Sequence, residues 1–256
     1  MKRKRYGATG VLAVACLCAH PAGGGAQDGA ATRPPPIARA VEATEQPRID
    51  GVLDDAIWAR AEPITDFRQR DPVDGAPATE RTELRIAFDS ENLYFGLTLF
   101  DSRPELIRRS ILHREGKIDQ DDHVWIALDT YHDRRNAYIF ELNPFGTQGD
   151  ALFTDESMSQ DDWNWEGVYR SEARVTDLGW TLEVAIPFTT IRFSEADAPE
   201  MGIAVRRAIR RKNEDVYWPH IPQRFRGGIQ QVSRYATLTG LRDLRRGRYM
   251  ELKPFA

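Results

Sequence analysis

Alternation at a period of two runs through most of this chain, and it leaves little room for anything but sheet. Leu84, Ile86 and Phe88 alternate with Glu83, Arg85 and Ala87. Asp89-Ser90-Glu91-Asn92 reads as a turn. Beyond it, Leu93, Phe95, Leu97 and Leu99 alternate with Tyr94, Gly96, Thr98 and Phe100, so the two runs form a hairpin. Val124, Ile126 and Leu128 mark another strand, and residues 130–135 turn the chain into Ala137 to Leu142. Further strands are expected at 166–176, 180–186, 202–210 and 234–241. Helical character is confined to 54–60, where Asp54 or Asp55 can cap Ala56, Ile57 and Trp58, and to parts of 104–111 and 188–192. Many strands and few helices predict an all-β fold, an antiparallel β-sandwich of jelly-roll or immunoglobulin-like type with a few short helices.

Such a sandwich needs a core, and 256 residues at 41% hydrophobic and 29% charged supply one. The longest apolar run, Val11 to Ala19, is too short to cross a bilayer as a helix. It follows the basic stretch Lys2 to Arg5 and precedes Gly24-Gly25-Ala26, the three parts of a secretory signal cleaved before Gln27. Lipid attachment at Cys16, after the imperfect lipobox Ala13-Val14-Ala15, is the alternative. Residues 1–26 hold four of the 35 basic residues and none of the 39 acidic ones, so the mature chain carries a net charge of −8. That balance argues against a nucleic-acid partner. Both cysteines, Cys16 and Cys18, lie in the signal, which removes disulfides, thiol nucleophiles and cysteine metal ligands from the mature chain. Residues 27–47, with Pro34-Pro35-Pro36, read as an extended Pro/Ala-rich spacer, and regular structure is expected from about Arg48 to 242. There is no nucleophile elbow, no His-Glu-x-x-His and no phosphate-binding glycine loop. The histidines, at 20, 113, 123, 132 and 220, have no zinc spacing.

Several segments in order resemble a known family. Arg48-Ile49-Asp50-Gly51, Leu53-Asp54-Asp55 and Trp58 resemble the opening of carbohydrate-binding module family 9 domains. Leu93-Tyr94-Phe95 with Asp101, Val124 to Asp129, Tyr138 to Pro144 with Gly146 and Asp150, and Gly179 to Phe188 follow at matching places. Asp162-Trp163-Asn164-Trp165 and Ile191-Arg192-Phe193 are similar to the version found at the amino terminus of uncharacterised bacterial outer-membrane barrel proteins. The resemblance implies a β-sandwich, a carbohydrate partner, calcium in the loops and a periplasmic or outer-membrane location. It also implies a link to carbohydrate catabolism and association with a β-barrel, for which the tail 243–256 reads as the start of a truncated segment.

Sugar sites set aromatic faces against the apolar face of a pyranose and place acids, amides and guanidinium groups around its hydroxyls. Trp163 and Trp165 follow the polar run Asp155 to Asp162, which offers no apolar partners to bury them. If that stretch is extended, the two rings share one side; the alternative is a lid folded onto the sandwich. Trp125 points away from Val124 and Ile126, alongside His123 and Asp129. The same parity sets Arg85, Tyr94, Thr98, Glu141, Glu183 and Arg206 opposite their strands' aliphatic sets, either as a sugar-binding face or as cross-strand ion pairs such as Glu183 with Arg206. The carbohydrate-binding candidates are therefore Trp163, Trp165, Trp125, Glu183 and Arg206, with Trp218 in reserve; Trp58 and Trp180 are read as structural. Calcium takes several oxygen ligands, and Asp121, Asp122, Asp161 and Asp162 are the candidate ligands, with solvated acidic loops as the alternative.

Three functions compete. The first is an exported, non-catalytic carbohydrate-binding domain. The second is a glycoside hydrolase, with Glu183 the most tempting acid. The third is a haem-binding domain, with Met158, Met201 and Met250 as the available methionines, or a barrel-associated interaction domain.

Overall fold

The computed structural model describes residues 35–245 except Glu115, Met158 and Gln160. The expected signal, Cys16, Cys18, Met158, Met250 and the tail from residue 246 lie outside the described residues.

Two sheets face one another, as the alternation requires. The smaller contains β2 (Val41–Glu42), β4 (Thr82–Phe88), β5 (Asn92–Phe100), β9 (Arg170–Thr176) and β10 (Gly179–Pro187), in the order β2-β4-β5-β10-β9. The larger runs β1 (Ile37–Arg39), β13 (Ala236–Thr239), β11 (Met201–Ile209), β6 (His123–Asp129), β7 (Ala137–Leu142) and β8 (Gln148–Phe153). It adds β12 (Glu214–Trp218) beside β11 and β3 (Arg68–Asp71) beside β12. The inward sets of both sheets, among them Leu84, Phe95, Leu97, Leu182, Ile126, Phe140 and Val205, form one buried core. The 4–5 hairpin pairs Leu93 with Phe88 and Leu97 with Leu84, in the register that alternation alone dictates.

Regular structure begins earlier than Arg48. Ile37 to Glu42, inside the expected spacer, supplies β1 and β2, and each adds to a different sheet in parallel, β1 on β13 and β2 on β4. The sheets are therefore mixed, although every other strand pair is antiparallel. Helix α1 (Ala56–Arg60) lies where expected, with Asp55 at its N-cap but no side-chain cap bond, because Asp55 Oδ2 accepts from Arg48 N at 3.1 Å instead. Of 104–111 only a 3-10 turn at Pro104–Leu106 is helical, and 188–192 forms turns.

The outer face of the smaller sheet is covered by α1 and the segment before it. Gly96 makes this approach feasible, since a Cβ there would lie 2.9 Å from the Trp58 ring. Glu183, on the same face, is fully buried and accepts from Asp50 N at 3.0 Å, Gly51 N at 2.8 Å and Trp58 Nε1 at 2.8 Å. Glu183 is thus an anchor for the opening segment and does not join a sugar site or pair with Arg206, which belongs to the other sheet. Replacing it with alanine leaves three donors unpaired. At about 1–3 kcal/mol for each buried orphan, Glu183→Ala is expected to cost at least 3 kcal/mol in chemical denaturation while leaving saccharide affinity unchanged. An unaltered unfolding midpoint would refute that role.

The outer face of the larger sheet is built differently. Ala127, Ala137, Ala151 and Ala204 are small, and Ile221, Ile229, Val232 and Tyr235 from the segment after β12 pack down on them. That cover stops short of one end of the sheet, where Trp125 is only partly buried.

Candidate functional site

At the uncovered end, hydrogen-bonding register brings three side chains side by side. Trp125 on β6 pairs with Glu141 on β7 and with Arg206 on β11. Glu141 in turn faces Gly149 on β8. A Cβ at Gly149 would lie 3.2 Å from both Glu141 Oε2 and Ile118 Cδ1, so glycine keeps this part of the face open. The result is a cavity of about 610 Å³ walled by Trp125, Glu141, Arg206, Trp163, Arg210 and Asp119, with Gly149 and Asp150 beside them. That lies within the range of small-molecule sites, about 300–1,000 Å³.

Trp163 closes one side. Its ring stands at 63° to Trp125 with centroids 5.7 Å apart, and Phe153 backs both rings at 6.3 and 6.1 Å. The Arg206 guanidinium lies 5.0 Å from the Trp125 centroid, a cation–π contact, and its Nη2 holds Asp215 at 3.0 Å. Trp163 remains 42% exposed.

Five of the ten buried side-chain N and O atoms that lack a partner among the described residues gather here. They are Trp125 Nε1, Glu141 Oε1, His123 Nε2, Arg206 Nε and Arg210 Nε. Unpaired buried polar atoms are costly, and this concentration offers both donors and acceptors to a polar ligand. Burial pushes the Glu141 carboxyl up to about 7, although Trp125, Arg206 and Arg210 nearby pull it down; Trp125 Nε1 is close but forms no well-aligned bond. Burial, helped by Arg206 and Arg210, holds His123 down to about 3. The imidazole is therefore neutral; with Nδ1–H donating to the Asp121 carbonyl at 2.9 Å, its Nε2 faces Glu141 Oε1 at 3.9 Å as an acceptor.

The turn that delivers Trp163 explains why its neighbour goes elsewhere. Asp162 is tied to the edge of β8 through paired backbone bonds with Leu152, at 2.9 and 3.0 Å, and its Oδ1 accepts from Asn164 N at 3.0 Å. Asp161 Oδ2 accepts from Gln230 Nε2. The chain turns at 163–164, so the two indoles diverge instead of sharing one side. Trp165 packs on Tyr138 and Phe140 at 5.0 and 6.0 Å, against the main core. Trp218 is buried in that core, as is Trp180; Trp58 is buried under the opening segment. Trp218 is therefore structural and leaves the candidate set. Met201 is fully buried in the same core and offers no axial ligand to a haem.

The four proposed calcium ligands do not form a shell. Asp121 is fully buried and surrounded by donors: Ser110 N and Oγ, Ile111 N and Asn143 Nδ2, at 2.8–3.0 Å. N–H groups aimed at a carboxylate occupy the positions a cation needs. Asp122 Oδ1 accepts from Arg210 N at 2.9 Å, while Asp161 and Asp162 fasten the Trp163 turn. Among the described residues no three His, Cys, Asp or Glu side chains gather closely enough to hold a metal ion. Calcium does not fit these four positions.

A family model described as "Carbohydrate family 9 binding domain-like" matches residues 49–215. The chain belongs to that family. Among solved structures, a family 9 carbohydrate-binding module from Caldicellulosiruptor kristjanssonii in complex with glucose is 14% identical. The alignment covers 85% of this chain and 100% of that one, with a TM-score of 0.57. A module of the same family and organism in complex with cellotriose is 15% identical over the same shares, with a TM-score of 0.54. Among curated proteins no relative matches. Family membership accords with the β-sandwich described above. Of the sequence-derived binding candidates, Trp125, Trp163 and Arg206 come together, whereas Trp165 and Glu183 do not. Glu141 and Arg210 complete the cavity; parity had placed Glu141 on the correct face, but nothing in the sequence distinguished Arg210 from other loop arginines.

Proposed function

We propose that this chain is an exported, non-catalytic carbohydrate-binding domain whose saccharide site is the cavity on the outer face of the larger sheet. The supporting observation is the convergence there of an aromatic pair, Trp125 and Trp163, with unpaired donors and acceptors on Glu141, Arg206 and Arg210. A sugar ring sets its apolar face on an indole and satisfies both kinds of polar group with hydroxyls that donate and accept. Family relatives bound to glucose and cellotriose support the ligand class. Binding without cleavage is favoured because Asp150, the second buried acid at the cavity, is committed: its oxygens accept from Arg114 Nη2 and Gly167 N. Export rests on the order of basic, apolar and small residues in 2–26, and it suits a role beside an outer-membrane barrel in carbohydrate catabolism.

The acid at the centre gives a pH test. In the free protein Glu141 titrates near neutrality. A hydroxyl donates more strongly to the carboxylate than to the neutral acid, so the ligand favours the ionised form. Below that pKa, binding carries the cost of removing a proton; above it, that cost vanishes. Cellotriose affinity is therefore expected to rise between about pH 6 and 8 and then level off, while Glu141→Gln binds weakly and without this slope. An identical slope in the Gln variant would assign the titration elsewhere and remove Glu141 from the site.

A further inference from the structure

We propose that the chain carries a second saccharide site, separate from the first, in the pocket where the turn after β6, the segment after β10 and the Trp165 loop meet. The inference builds on the carbohydrate-binding reading but uses different residues, so the two can fail separately.

This pocket, about 450 Å³, is lined by Tyr131, Tyr138, Trp165, Phe188 and Phe193, with Thr189, Thr190 and Arg192 at its polar side. Five aromatic rings line this opening, and one of them is held outward. Tyr131 is 53% exposed although it sits on a rigid turn. Asp129 accepts from Asp133 N at 3.0 Å and Arg134 N at 2.8 Å, and both His132 and Arg134 take left-handed backbone, with φ of 53° and 58°. Non-glycine residues in that region cost energy and persist where surrounding structure imposes them. Thr130 Oγ1 donates to the Arg192 carbonyl, tying this turn to the opposite wall.

The other walls are fixed in the same way. Phe188 N donates to Glu91 O at 2.8 Å, and Thr190 Oγ1 donates to Val168 O at 2.5 Å. Trp165 rests on Tyr138 at 5.0 Å, and Phe193 on Phe188 at 5.5 Å. Tyr138 Oη accepts from Arg192 N at 3.2 Å and keeps its own proton for a further acceptor. Thr189 is exposed and lines the opening. Preformed aromatic faces with a few hydroxyl groups suit an amphipathic ring that is apolar on its faces and hydroxylated at its edge, which describes a neutral sugar. Among the described residues no carboxylate lines the pocket, and the Arg192 guanidinium there opposes a cationic ligand. The divergence of the two indoles at 163–164 then serves two pockets: Trp163 faces the first and Trp165 the second.

The test is a cellotriose titration of the mature chain, of Trp125→Ala and of Tyr131→Ala, followed by calorimetry and by amide and indole NMR shifts. Tyr131 is exposed, so its removal is expected to leave the melting temperature unchanged. Two classes of site are expected in the parent. Trp125→Ala should retain one, with the Trp165 indole still moving, and Tyr131→Ala should weaken that one at least tenfold. Tyr131→Phe should restore most of it. A single class in the parent, lost in Trp125→Ala with Trp165 unmoved throughout, would overturn the proposal. Binding untouched in Trp125→Ala but lost in Tyr131→Ala would uphold the second pocket and refute the first.

Discussion

Arg207→Ala is expected to lower the stability of this domain by about 3–5 kcal/mol, the loss of three buried hydrogen bonds from a charged donor at about 1.5 kcal/mol each. Arg207 is 1% exposed and lies on the inward face of β11, where its strand neighbours Val205 and Ile209 are core residues. Its guanidinium reaches across to the other sheet, donating to Arg81 O at 3.0 Å, Thr82 Oγ1 at 2.9 Å and Phe100 O at 2.6 Å. One side chain thus joins β11 to the ends of β4 and β5. Burial lowers its pKa to about 10, offset by Asp122, Asp101, Glu80 and Glu214, so it remains charged at neutral pH. Without it, Asp122, pushed up to about 6 by burial, loses a compensating charge, and two backbone carbonyls and a hydroxyl each lose one donor. In a domain of this size that amounts to a fall in Tm of roughly 10 °C or more. Arg207→Lys keeps the charge but not the fork, and should fall between. Thermal unfolding of the alanine variant within 2 °C of the parent, a threshold about one-fifth of that expected fall, would show that the sheets are held by apolar packing alone.

Trp125→Ala is expected to weaken saccharide binding at the cavity on the larger sheet by about 2 kcal/mol, roughly thirtyfold, the scale of losing one central aromatic anchor of an interface. Three partners depend on this ring. Trp163 loses the edge it packs on at 5.7 Å, Arg206 loses its π face at 5.0 Å, and Glu141 loses a nearby indole N–H. Trp163→Ala removes only the outer of the two rings, so its effect should be smaller. Both side chains retain some exposure, so neither substitution should cost what a core tryptophan costs, about 3–5 kcal/mol. Trp165→Ala, by contrast, should show up in stability, because Trp165 packs on Phe140 and Tyr138 at the margin of the core. Affinity retained in Trp125→Ala with stability unchanged would exclude the cavity.

Alternation was legible wherever one face meets the core and the other does not repeat the same residues. β4, β5, β6, β7, β10 and β11 all carry that signal. β8 does not, because Gly149 and Ala151 stand where alternation would place large residues; Ala151 lies under the cover and Gly149 keeps the cavity open. β3, Arg-Gln-Arg-Asp, is too polar to be recognised as a strand, and joins the sheet at its edge beside β12. β1 and β2 were hidden by their proline-rich surroundings. Within the candidate site, parity identified Trp125 and Glu141 because it reports which way a side chain points. It does not report which sheet a strand enters, and that is why Glu183 has the right parity and the wrong sheet. The aspartates misled for a related reason: an acid in a loop is as useful for receiving backbone N–H groups as for holding a cation, and Asp121 and Asp162 do the former. Trp163 and Trp165 parted because Asp162 makes a turn with Asn164 two residues on, a local device that outweighs an extended reading of the segment.

The most direct test is to follow the indole N–H resonances of the chain while cellotriose is added, with Trp125 and Trp163 assigned by substitution. Saturable shifts of both, reduced in Glu141→Gln and Arg206→Ala, are the expected result. Binding that saturates while the Trp125 and Trp163 indoles stay in place would contradict the assignment of this cavity as the saccharide site.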